Sequence, residues 1–347
     1  MPTELTQNYR VDPADLPAEA VIFGCTSAMR EIRKTLDCAL CNDFPVLIEG
    51  ENGTGKEVIA RYFHTRSSRR DEPFVKLNCG AVPTSLVERI LLGYKEGSST
   101  GAKEVEPGLI EFAGGGTLFL DDVGELHPSL QVKLLQLLQG GMFTRVGESN
   151  RQIGNPGIIC ATSIDLQTAV KTGKFSNDLF SCIDVVSLRL LPLRNRKADI
   201  PQLCKYFLQK LARQFGRTAP RLDPAVLDLL MKWDWPGNLR ELENWIARAI
   251  ILGDTKILEA ELKRQLGQRN DRDSRSSPKR TSKETSRRAI RQPRKKLIIN
   301  ALGGMRCTKR KRAGHLNLSY RSLLCGLREI ELRQRRRRHR GSPPQGH

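Results

Sequence analysis

GENGTGKE, residues 50–57, decides how the rest of this chain is read. It fits the pattern G-x-x-x-x-G-K, with Glu57 where Ser or Thr is usual. Such a loop needs glycines because backbone N–H groups must turn inward around phosphate oxygens, and a Cβ would block that approach. Gly50, Glu51, Asn52, Gly53, Thr54, Gly55, Lys56 and Glu57 are therefore the candidate nucleotide-binding residues, with Lys56 reaching the β- and γ-phosphates. The apolar run FPVLIEG (44–50) reads as a buried strand leading in. EVIARYFHTRS reads as a helix leading out, whose N-terminal dipole adds to the anion site. A glycine turn alone would be weak evidence, but strand, loop and helix stand here in the required order. About sixty residues on, TLFLDD ends a second apolar run in Asp121 and Asp122, a pair suited to Mg²⁺ binding, at Asp121, and to positioning a water.

Working outward, PFVKLNC, GTLFLDD and GIICATS are further short apolar runs, separated by helical stretches. Strands alternating with helices imply a mostly parallel sheet covered on both faces. Ahead of the loop, Met29, Ile32, Leu36 and Leu40 share one helical face. From about residue 195 the pattern turns all-helical, through DIPQLCKYFLQKLARQF, PAVLDLLMKW and NLRELENWIARAIIL. QRNDRDSRSSPKRTSKETSRR (268–288) is polar and Ser-rich and reads as a flexible linker.

Charge is unevenly placed. Residues 268–347 hold 25 of the 58 Lys and Arg and five of the 38 Asp and Glu, so all of the net +20 lies there. A neutral body with a basic tail suggests a polyanion, with double-stranded DNA as the expected partner; a solvated tail is the plainer alternative. No run of 18 apolar residues exists and no secretory signal is visible, so a cytoplasmic, nucleoid-associated protein with no membrane partner is expected. The nine cysteines are scattered and odd in number, which argues against disulfides. Cys38 and Cys41 form a lone C-x-x-C without the second pair that a zinc site needs.

The chain resembles the AAA+ domain of bacterial enhancer-binding proteins, the sigma-54-dependent activators of the NtrC type. The resemblance is carried by the phosphate loop ending in Lys-Glu, by FVKLNCGAVP (74–83), GGGTLFLDDVGEL (114–126) and LLQLLQGGMFTRVG (134–147), and by LRLLPLRNRKADIP (188–201) and WPGNLRELEN (235–244). It implies an α/β P-loop subdomain over 21–193 and an all-α lid over 194–267, with ATP and Mg²⁺ as cofactors and a homo-oligomeric or mixed ring as the assembly. Arg240 matches the family's nucleotide-sensing lid arginine. Asn78 matches the asparagine that couples phosphate state to the Walker B carboxylate. The C-terminal part resembles the family's Fis-type helix-turn-helix over 289–331, followed by a basic tail at 332–347. Ser319, Tyr320, Arg321 and Ser322 open its recognition helix, in position to enter a DNA groove. Residues 1–20 form a short extension, and no sensing domain is expected to fit there.

Four features depart from the family. Its sigma-54 contact loop reads GAFTGA; here Gly97, Ser98, Ser99, Thr100, Gly101 and Ala102 put a serine at the aromatic position, without the stacking surface of Phe. Two arginines that reach a neighbouring subunit's nucleotide are replaced by Ser176 and Cys182, and such groups contribute about 10³–10⁵ in rate. Walker B has Asp122 in place of Glu, and the third residue of the sensor ATN is Ser163. Lys171, Lys174, Arg194 or Arg196 could substitute in part for the lost arginines. The expected function is an ATP-binding, DNA-binding regulator with impaired hydrolysis and impaired remodelling of sigma-54 RNA polymerase. Two alternatives are a working activator ATPase using compensating residues or a mixed ring, and a basic nucleic-acid-binding protein that uses the AAA+ part only as a scaffold.

Overall fold

The computed structural model describes residues 10–40, 42–94, 106–148 and 150–273. The chain divides into two units, Met1–Asp271 and Arg272–His347, and the described residues fall almost wholly in the first. The expected contact loop at 97–102, Cys41 and the helix-turn-helix at 289–331 lie outside the described residues.

Five parallel strands form the central sheet: β1 (Val46–Glu49), β2 (Phe74–Asn78), β3 (Thr117–Asp121), β4 (Gly157–Thr162) and β5 (Val186–Arg189), in the order β2-β3-β4-β1-β5. Successive side chains point to opposite faces. Leu118 and Leu120 therefore enter one apolar cluster and Phe119 the other, and all three are fully buried. A sheet packed on both sides needs continuous apolar strands, which is why β1 and β3 read as unbroken runs.

The helix carrying Met29, Ile32 and Leu36 spans Ser27–Ala39 and buries those three residues; Leu40 is its C-terminal flank. It covers one face together with the helix Lys56–Arg66. Pro128–Gly140 and Asn177–Ile183 cover the other. β5 was not legible beforehand. VSLR is short, and only Leu188 among its residues is fully buried, so it lacks the apolar run that marks the other four.

The lid comprises Ile200–Phe215, Pro224–Lys232, Asn238–Leu252 and Lys256–Asp273, packed on Trp235, Leu242 and Ile246. The fourth helix runs to Asp273, beyond residue 267. Trp235 lies at φ 50°, fully buried, and donates its indole N–H to the Leu230 carbonyl at 2.8 Å. That pins the WPGN corner, which aims the helix Asn238–Leu252 at the phosphate loop. Among the described residues no helix is long and apolar enough to cross a membrane.

Candidate functional site

The phosphate loop leaves β1 and enters the helix Lys56–Arg66 at the carboxyl edge of the sheet. Gly53 (φ 81°) and Gly55 (φ 103°) occupy the left-handed region that L-residues avoid. A Cβ on Gly53 would sit 2.4 Å from the Gly237 carbonyl oxygen, so the lid approaches too closely for any other residue. Lys56 is 7% exposed, and its ammonium donates to the carbonyls of Gly50 (2.8 Å) and Glu51 (3.3 Å). Burial lowers its pKa, opposed by the nearby carboxylates of Asp122 and Asp121.

The lid holds the loop from the other side. Asn238, fully buried at φ 53°, accepts from Leu193 N–H at 2.8 Å. It donates to Glu51 Oε2 at 3.2 Å and to the Asn52 carbonyl at 3.1 Å. Leu239 N–H donates to the Gly53 carbonyl at 2.9 Å. Arg194 pairs with both oxygens of Glu51, at 2.8 and 2.5 Å, and that hydrogen bonding is the main reason the Glu51 carboxyl lies below its ordinary pKa. Arg196 is buried and donates to the Thr54 carbonyl at 2.8 Å. Arg194 and Arg196 thus hold their own chain's loop. Of the four cations considered as stand-ins for an arginine reaching across an interface, that leaves Lys171 and Lys174, both exposed. Arg240 is exposed in the first turn of its helix, beside Gly53.

The carboxylates gather at the far end of the cradle. Asp121 ends β3, in register with Asn78 at the end of β2. Asp122 follows at φ 55°, a strained position for a residue with a Cβ. Ser163 donates its hydroxyl to Asp122 Oδ1 at 3.4 Å, so two of the departures meet each other. The Asn78 side-chain oxygen accepts from Gly80 N–H at 3.1 Å, which ties Asn78 to its own turn. Glu57 lies in the first turn of the helix that follows the loop. It receives Lys76 at 2.5 Å and Arg61 at 3.0 Å, and Lys76 also stands 3.4 Å from Asp121 Oδ2. Burial pushes the Glu57 pKa upward, but the two cations outweigh it and hold the carboxyl below its ordinary range.

Ser176 caps the helix Asn177–Ile183, accepting from Leu179 N–H at 3.3 Å. Its backbone N–H donates to Gln131 Oε1 at 2.7 Å. Cys182 is half-buried on that helix. Around the contact loop, Gly93–Tyr94 pairs antiparallel with Glu106–Pro107, so the ends of the segment holding Ser99 and Thr100 are brought together. Val146 N–H donates to the Gly93 carbonyl at 3.0 Å, joining this stem to the segment after the helix Pro128–Gly140. Three participants escaped the sequence reading: Asn238, the Glu51–Arg194 pair and Lys76. Only Asn238 had a local signal, as the residue after Pro-Gly in a tight corner. Among the described residues no cluster of three His, Cys, Asp or Glu could hold a metal by itself.

Comparison with known proteins follows the same architecture. The family profile described as the sigma-54 interaction domain matches residues 22–189, and the AAA+ ATPase lid domain matches residues 194–279. The DNA-binding transcriptional activator HyfR of Escherichia coli (strain K12) is 48% identical over 227 residues, 65% of this chain and 34% of HyfR. The Nif-specific regulatory protein of Rhizobium leguminosarum bv. trifolii is 43% identical over 239 residues, 69% of this chain and 67% of that protein. The chain therefore spans from about a third to about two thirds of these two relatives. The crystal structure of NtrX from Brucella abortus in complex with ATP is 27% identical with a TM-score of 0.65, covering 91% of this chain and 70% of that one. With matches over both the phosphate-loop subdomain and the lid, the chain belongs to the family of sigma-54-dependent transcriptional activators.

Proposed function

We propose that this chain binds ATP with Mg²⁺ in the Gly50–Glu57 cradle and acts as a DNA-binding transcriptional regulator that turns ATP over slowly and engages sigma-54 weakly. Lys56 carries the nucleotide half of this reading. It is a nearly buried ammonium whose hydrogen-bond partners among the described residues are two loop carbonyls. Phosphate oxygens would be stronger, charge-matched partners for it. Gly53 and Gly55 leave their N–H groups free of side-chain obstruction, and the 11-residue helix that follows adds its positive end. Asp121 suits Mg²⁺: Oδ2 faces Lys76, while Oδ1 accepts no hydrogen bond among the described residues. When bound, Mg²⁺ would neutralise charge on the phosphate oxygens. The likeness to NtrX, crystallised with ATP, supports the same reading.

Slow turnover is supported by the departures at Ser176, Cys182, Asp122 and Ser163. Ser176 and Cys182 offer no cation for a neighbouring nucleotide, and Asp122 is one methylene shorter than the expected glutamate and leans on Ser163. A displacement near 1 Å in a water-orienting group costs about 10²-fold. DNA binding is supported by the relatives' printed roles and by the +20 of charge in residues 268–347. The test is calorimetry with Mg-ATP on wild type and Lys56→Ala, joined to a steady-state ATPase assay. The expected loss of affinity is about 100-fold, from a charged hydrogen-bonding group worth about 2–3 kcal/mol. Equal affinities would sink the site, and wild-type turnover of about 1 s⁻¹ or more would sink the impairment.

A further inference from the structure

The cradle as described leaves one charged group without a task. Lys76 stands in the middle of β2, opposite Phe119 of β3, where neighbouring strand positions are apolar. Its ammonium bridges Glu57 Oε2 at 2.5 Å and Asp121 Oδ2 at 3.4 Å. Glu57 and Asp121 lie 64 positions apart in sequence and come from different elements, so this lysine is what joins the last residue of the loop to the end of the Asp strand. On the cradle side Lys56 faces Asp121 and Asp122. Three carboxylates thus crowd the end where a polyanionic nucleotide must be received. Like charges gathered there repel one another unless a cation stands between them.

Resting on the nucleotide reading above, we propose that Lys76 is a positioning residue that supplies a resident cation at the metal end of the cradle, lowering the dependence of ATP binding on Mg²⁺. The ammonium neutralises part of the Glu57–Asp121 pair before any metal arrives. Metal-free ATP then meets a site whose charge is already balanced, and Mg²⁺ adds less affinity than it would beside two bare carboxylates. Arg61 is an internal control. It also pairs with Glu57, at 3.0 Å, but its guanidinium packs over the Phe74 ring, and no contact joins it to Asp121 among the described residues. An ordinary surface ion pair contributes little and would not change the ratio of ATP affinities with and without Mg²⁺.

The experiment measures ATP affinity of the full chain twice, in excess Mg²⁺ and in EDTA, for wild type, Lys76→Met, Lys76→Arg and Arg61→Met. Lys76→Met should lose about tenfold in EDTA, the effect of one partly screened charge, and less than about threefold with Mg²⁺. Lys76→Arg should keep the wild-type ratio of the two affinities, and so should Arg61→Met. If Lys76→Met lowers both affinities by the same factor, or neither, Lys76 is a structural ion pair and the proposal is wrong. It is equally wrong if Arg61→Met shifts the ratio as far as Lys76→Met does. Lys76→Gln gives the same test should the methionine variant fail to fold by circular dichroism. Failure of the wild type to bind ATP in either buffer would overturn the nucleotide reading itself; an unchanged ratio in Lys76→Met overturns only the role of the lysine.

Discussion

The two ends of the nucleotide cradle differ in how their residues are held. At the loop end, every residue from Glu51 to Thr54 is fixed by a lid residue or by a bond within the loop: Arg194 and Asn238 on Glu51, Asn238 on Asn52, Leu239 on Gly53 and Arg196 on Thr54. At the other end, Asp122 holds a strained backbone and one long hydrogen bond to Ser163, Ser176 caps its own helix, and Cys182 Sγ meets only Gln139 Nε2, at 4.0 Å, among the described residues. The difference teaches that binding a nucleotide and splitting it make separate demands on this fold. Binding uses backbone shape and one lysine, supported by a network that lies within a single chain. In the proposed reading, turnover needs long side chains placed to about an ångström, and the resemblance puts Ser176, Cys182 and Asp122 at those positions.

The largest effect should come from rebuilding the weak end. Ser176→Arg with Cys182→Arg, in an Asp122→Glu background, should raise steady-state ATPase by about 10²-fold or more. An unchanged rate would show that other residues already do this work and would break the comparison. The same Ser176→Arg change removes a helix cap, so it should also cost about 1 kcal/mol in a denaturant titration.

Acid should loosen the packing of the helix behind the loop against the start of β3. His64, fully buried on the helix that starts at Lys56, meets Thr117 Oγ1 of β3 at 2.9 Å, and burial lowers its pKa to about 4. The unfolded chain takes up that proton near pH 6.5 and the folded chain only near pH 4. Unfolding therefore binds a proton between those values, and stability should fall as pH drops through the window, by up to about 3 kcal/mol. Unfolding midpoints against pH check this, and His64→Leu should flatten the slope. An equally steep profile in that variant would assign the effect to other groups.

Asn238 tests the strong end. Asn238→Ala removes three hydrogen bonds, leaves Leu193 N–H unpaired and forces a Cβ without a polar partner into φ 53°. Destabilisation of about 2–3 kcal/mol is expected, with Asn238→Gly milder by about 1 kcal/mol because glycine accepts that backbone. Equal losses in the two variants would mean that the left-handed backbone contributes nothing. Ser163→Ala should be the smallest change, less than about threefold in ATP affinity, since a 3.4 Å hydroxyl contact is weak. A large loss there would make Ser163 a working partner of Asp122.

Much of the strong end was legible because its signal is local. Eight consecutive residues between an apolar strand and a helix announce a phosphate loop, since backbone N–H groups can be aimed only by glycines in a fixed order. Four of the five strands were visible because both of their faces are buried, and β5 was missed because most of VSLR is not. That Ser176, Cys182 and Asp122 depart from an expected pattern is an expectation drawn only from likeness to a family. Nothing in the residues KFSNDLFSCI alone says that a cation is missing.

By itself, then, the sequence determined the phosphate loop, the layered α/β class, the helical lid and the basic charge of residues 268–347. Each is a property of neighbouring residues: glycine spacing, apolar periodicity, charge density. Only the tertiary structure decided which side chains meet. Glu51 finds Arg194 across 143 positions and Asn238 across 187; Asp122 finds Ser163 across 41; Glu57 finds Lys76 across 19. No spacing rule encodes those distances, because they depend on the strand order β2-β3-β4-β1-β5 and on the corner that turns the lid back over the loop. The parallel sheet brings the ends of its strands to one edge, and the charges that govern nucleotide binding become neighbours only there.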